Sequence, residues 1–171
     1  MRCASIAILA VLIIAPFADA GRDDDFDFAE GLMARKYYDL AEEAFQKIIN
    51  DSTATADQQA AGELGLAILL KVQADDAQSI SKTPVEEVLK LYGAAEARFD
   101  KFLNTYPNHP KQDTAKFQVG TLLHAKGLYL RGLMEKEPDK AAEYRKGAEE
   151  AFDQAIDLFK AAAEILEEKA D

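Results

Sequence analysis

The sequence predicts an all-α protein, with about six helices paired into antiparallel hairpins and stacked side by side. Three observations predict it. Apolar residues recur at steps of three and four through most of the chain after residue 25, which is the period of an amphipathic helix. Prolines and clusters of Asn, Asp, Ser and Thr interrupt that period near residues 50–57, 75–83, 107–110 and 138, as helix ends do. Finally, 171 residues of which 49% are apolar are enough for one core, or for a short stack of repeats that shares one.

Residues 1–20 read as a secretory signal peptide. Arg2 supplies the positive start, Ala4 to Ala15 the apolar run, and Ala18-Asp19-Ala20 the small residues before a cut at Gly21. A retained anchor is the alternative, but the run is short of the roughly 20 residues that a spanning helix needs. The expected location is periplasmic or secreted, and residues 21–171 form the helical domain. The only cysteine, Cys3, lies before the apolar run, so the mature chain has neither a disulfide framework nor a thiolate metal site.

Residues 21–27, GRDDDFD, place carboxylates near the start of the first helix, where its dipole favours them. The run lacks the alternating ligands and central glycine of a calcium loop. From Phe28 to Ile49, Phe28, Ala29 and Leu32, then Tyr38, Ala41, Phe45 and Ile48, describe a hairpin broken around Arg35 to Tyr37. A polar loop, Asn50 to Asp57, leads to a helix capped near Asp57.

Residues 58–74 are apolar nearly all round and predict the most buried helix. The polar stretch Asp75 to Thr83 reads as the next connection. Thr83-Pro84-Val85-Glu86 has capping-box spacing with proline at the first helical position, and the helix it starts runs through Phe99 and Leu103 to Tyr106-Pro107. A fifth helix begins near Gln112 and ends at Pro138. Its glycines at 120, 127 and 132 each cost about 1 kcal/mol against alanine, so they imply a close neighbour. The last helix, about Pro138 to Lys169, has an alanine-rich seam through Ala148, Ala151 and Ala155. A second apolar row, Ile156, Phe159, Ala163 and Leu166, suits self-association.

These helices resemble the tetratricopeptide repeat (TPR), a pair with a small residue in its first helix and an alanine followed four later by an aromatic in its second. Ala29, Ala41 and Phe45 make one copy. Gly65, Ala95, Phe99 and the closing Pro107 make the second, and Gly120, Ala148, Phe152 and Ala155 the third. The approximate repeats are 26–50, 57–107 and 111–168. Tyr106 to Pro110 resembles the YPxxP turns of repeat proteins in bacterial cell envelopes; the family's tryptophan is absent.

The interval from second-helix alanine to the next small residue is 24 and then 25, whereas the interval inside each copy is 12, 30 and 28. The later copies therefore carry insertions of 18 and 16 residues, and their hairpins should stand about 13 Å taller than the first. The resemblance implies an α-solenoid whose first helices line a groove. By this alignment the groove positions are Glu30, Met33 and Ala34, then Leu66 and Leu69, then Phe117, Thr121, His124 and Ala125. The competing reading of Leu66, Leu69 and Phe117 is ordinary core.

No pattern points to catalysis. His109 and His124 lack the paired spacing of a metal site, and adjacent acids such as Glu42 and Glu43 diverge by about 100° on a helix. No cofactor and no metal are expected. A formal charge of -11 disfavours nucleic acid and anionic membranes as partners. The expectation is a non-enzymatic, exported scaffold that binds a protein or peptide on a helical groove. An oligomerisation module of a larger envelope assembly, or a periplasmic small-ligand binder, are the alternatives.

Overall fold

The computed structural model describes residues 20–80 and 82–168, with side chains over 24–80 and 82–163. Residues 1–19, which carry most of the expected export signal, lie outside that range. The described residues are 86% helical, with six α-helices and no strand among them. The helices are α1 (Ala20–Ala34), α2 (Tyr38–Asn50), α3 (Ala56–Ser79), α4 (Val85–Thr105), α5 (Gln112–Lys136) and α6 (Ala141–Glu168), with a 3-10 turn at Pro138–Lys140 before the last.

Each helix packs against the next, so the chain folds as a stack of antiparallel hairpins. In addition α1 touches α3 and α3 touches α5, while α2 and α4 do not meet. First helices therefore line one side of the stack and second helices the other. The later hairpins are the taller ones: α3 and α4 have 24 and 21 residues against 15 and 13 in α1 and α2.

The α1–α2 turn is made by Lys36, whose φ of 64° is the only positive value at a non-glycine residue among the described ones. There the Lys36 and Tyr37 amides bond back to the Met33 and Leu32 carbonyls. Helix α3 begins two residues earlier than the cap expected at Asp57. Thr55 and Gln58 exchange side-chain bonds to each other's backbone amides in a complete capping box.

The stretch from Asp75 to Ser79 is helical rather than a connection. Lys71 reaches Asp75 one turn on at 3.0 Å, and Asp75 and Asp76 accept bonds from tyrosines of neighbouring helices. Polar residues here join helices instead of ending one. Helix α4 starts after Pro84, but the Thr83 box does not form, since no side chain caps that end.

Two cores lie on opposite faces of α3. Toward the first hairpin, Leu66 and Leu69 bury with Ala29, Ala41, Phe45 and Ile48. Toward the rest, Ala60, Leu64, Ala67 and Ala74 bury with Val88, Tyr92, Phe99 and Phe102 of α4, Val119 and Leu122 of α5, and Ala155 of α6. A smaller cluster, Leu130, Leu133, Tyr144 and Ala148, closes the far part of the last hairpin. Among the described residues the one buried charged side chain is Glu63, held between Arg98 at 3.0 Å and Lys101 at 2.5 Å. It ties α3 to α4, and its burial without partners would cost several kcal/mol.

Candidate functional site

Glycines set how closely the helices approach. A Cβ at Gly65 would strike the Phe45 ring, and one at Gly62 would meet Ile49 at 2.9 Å. In the last hairpin a Cβ at Gly120 would lie 2.8 Å from the Phe159 ring and one at Gly127 2.6 Å from the Phe152 ring. Both pairs are spaced by seven, two helical turns, so two aromatic rings of α6 sit on two bare patches of α5. Gly132 has nothing within 4 Å, contrary to the expectation of a close neighbour there.

The positions expected to line a groove separate into three fates. Leu66 and Leu69 are 2% and 1% exposed, sealed beneath the first hairpin, and offer a partner no surface. An all-apolar helix hides which of its faces is covered, and here both broad faces are. On α1, Glu30 and Ala34 are exposed while Met33 packs against the first core. Ala125 packs against the main core, and the Thr121 hydroxyl donates to the Gln118 carbonyl at 2.8 Å.

Phe117 and His124 behave differently. Phe117 is 48% exposed and its ring lies 5.7 Å from that of Phe159; His124 lies 5.8 Å from Phe152. They join the row expected for self-association. Ile156 is 49% exposed, Phe159 is half-buried over Gly120, and Ala163 is exposed; the Leu166 side chain lies outside the described residues. The structure thus brings Phe117 and His124 of the expected groove and the α6 row onto one outer face of α5 and α6, which exposed Leu128 extends. The matched spacing of Gly120 with Gly127 and of Phe152 with Phe159 was the signal in the sequence for that face.

A second exposed apolar surface was not foreseen. At the opposite end of the stack, Phe28, Leu32, Leu40 and Ala44 line a cleft of about 320 Å³ between α1 and α2, with Asp25, Glu43 and Lys47 at its edge. Asp25 and Lys47 are 3.7 Å apart.

A more polar cleft of about 540 Å³ opens where the first hairpin meets the ends of α3 and α4. On its wall Tyr38 donates to Asp76, which Lys36 also approaches at 2.7 Å. Burial and then the Asp76 carboxylate push the Tyr38 hydroxyl up to about 12. The Lys36 ammonium, with the Tyr38 hydroxyl, holds the Asp76 carboxyl below its ordinary value. Nearby Tyr92 donates to Asp75 at 3.2 Å and is likewise shifted up, chiefly by burial. These carboxylates have partners within the protein, so they act as joints between helices.

His109 lies in the turn after α4, its ring 5.5 Å from that of Phe102, and its Nδ1 accepts from the Lys111 amide at 3.1 Å. That arrangement stabilises a turn. Among the described residues no three His, Cys, Asp or Glu side chains gather as metal ligands, and no helix is long and apolar enough to cross a membrane. No protein family, curated protein or solved structure matches the chain.

Proposed function

We propose that this chain is a non-catalytic, exported protein-interaction module, and that its partner docks on the outer face of α5 and α6. The observation that carries this is the exposure of Phe117 and Ile156, each about half open to solvent, beside Phe152 and Phe159 on one face of a long hairpin. An exposed apolar stripe along a helical hairpin is a surface for another helical element. The groove expected along the first helices is less favoured, because its apolar members Leu66 and Leu69 are core. Export rests on the residues read as a signal.

Site-specific photo-crosslinking in the producing cell tests the reading. A crosslinker at Ile156 should give a discrete protein adduct, while one at Asp157, about 100° round the helix, should give none. Equal labelling from both positions, or none from Ile156, would overturn the assignment of this face.

A further inference from the structure

The fold uses only one of the chain's two histidines. The His109 side chain is 7% exposed, lies against Phe102 and accepts the Lys111 amide at Nδ1. His124 is exposed, and neither of its ring nitrogens has a hydrogen-bond or ion-pair partner among the described residues; its ring lies 5.8 Å from that of Phe152. Building on the docking face proposed above, we infer that His124 gates that face by protonation: a partner docks while the ring is neutral and is released when the ring is charged.

His124 holds the middle of the face. On α5 it belongs to the stripe Phe117, Thr121, His124, Leu128, at steps of four, three and four. Along the helix it falls between Gly120 and Gly127, hence between the Phe159 and Phe152 rings that rest on them. Exposed Ile156 lies between the same two rings on α6. A helical element that covers Ile156 therefore also takes water away from His124.

The charged groups around the face are Arg131 and Glu135 on α5 and Glu149, Asp153 and Lys160 on α6. All are exposed, and none forms an ion pair with His124. They sit where water still reaches them, whereas His124 sits among apolar side chains. No carboxylate of this chain is thus placed to replace the hydration that a charged ring loses on docking.

Loss of that hydration disfavours the imidazolium far more than the neutral imidazole. The docked state therefore holds fewer protons at His124 than the free state, so affinity is full in the alkaline part of the range where histidine titrates and is lost toward acid. One proton sets a limit of about tenfold per pH unit.

The full chain carrying a photo-crosslinker at Ile156 tests this. It is mixed with lysate of the producing cell, at a concentration too low to saturate labelling, and illuminated in buffers from about pH 8 down to about pH 5.5. The same series is run on His124→Gln, whose side chain is polar but carries no charge. Each protein's adduct yield is taken relative to its own value at the alkaline end, and circular dichroism at each pH checks that the helices persist. With His124 in place, the yield of one discrete adduct should fall about tenfold or more toward acid, while that of His124→Gln stays within about twofold. A yield that is flat, that rises in acid, or that falls equally in His124→Gln would overturn the gate and leave the docking face standing. Absence of an adduct from Ile156 at every pH would instead overturn the docking face, and the gate with it.

Discussion

The first and last hairpins both lay phenylalanine rings on glycines, but they use the contact for different purposes. In the first, Phe45 of α2 rests on Gly65 of α3, so the ring fastens one hairpin to the next. In the last, Phe152 and Phe159 of α6 rest on Gly127 and Gly120 of α5, so the rings fasten the two helices of a single hairpin. The tyrosines repeat the division. Tyr38 of α2 bonds to Asp76 of α3, whereas Tyr144 of α6 donates to Glu137 in its own hairpin at 2.8 Å. Where the aromatic contacts are spent between hairpins, the inner surface is sealed. Where they are spent within one, the outer surface stays open.

The sharpest way to break this comparison is to remove one ring from each end. Phe45→Ala should cost about 3–5 kcal/mol, the range for emptying a buried phenylalanine site. It should also strip hydrogen-exchange protection from α1 and α2 before the remaining helices. Phe152→Ala, which empties a half-buried site, should cost about half as much and loosen α6 alone. Denaturant titration with exchange mass spectrometry reads both, and equal losses spread over the whole chain would refute the division.

Smaller effects should follow from the glycines. Gly65→Ala puts a methyl into the Phe45 ring, which is itself boxed in by the first core, and should destabilise by about 1–3 kcal/mol. Gly120→Ala should cost less, because half-buried Phe159 has solvent to move toward. Gly93→Ala and Gly132→Ala meet nothing within 4 Å, and should stabilise the protein by about 0.5–1 kcal/mol through helix propensity. Thermal midpoints would order the four variants.

The smallest effect concerns the Tyr38 joint, where Tyr38→Phe should cost about 1 kcal/mol at neutral pH. Its hydroxyl is raised from 10.0 to about 12 in the fold. The raised value favours the folded state below pH 10, and that contribution should be lost as pH climbs toward 12. Asp76 is shifted the other way, so its contribution is present above the ordinary carboxylate range and is lost as acid protonates it. Stability measured from pH 9 to 12 should fall less steeply in Tyr38→Phe than in wild type. An unchanged slope would remove Tyr38 from the account, leaving Tyr92 as the other raised tyrosine of the α3 joints.

Much of the fold was legible because breaks leave strong local marks. Pro107, Pro138 and the Arg35–Tyr37 turn ended helices where expected, and the short interval in the first copy anticipated its low hairpin. The misses share a cause, since each depended on partners distant in the chain. Asp75 and Asp76 look like loop residues until Tyr92 and Tyr38 from neighbouring helices, and Lys36 from the α1–α2 turn, reach them. Leu66 and Leu69 look like groove residues until the first hairpin covers them. Glu63, which nothing in the sequence singles out, is held in the interior by Arg98 and Lys101 from α4. The outer face was half legible: the second apolar row on α6 stood out, but its union with Phe117 and His124 needed the pairing of α5 with α6.

Helix α3 has a consequence in time as well as in space. It carries a core on each of two opposite faces, with Leu66 and Leu69 on one side and Leu64 and Ala67 on the other. Fraying from either end of the stack must cross a complete core before it frees that segment. The amides between Gly62 and Leu69 should therefore exchange last, at the rate of global opening, and serve as the clock against which the loosening of every other helix is read.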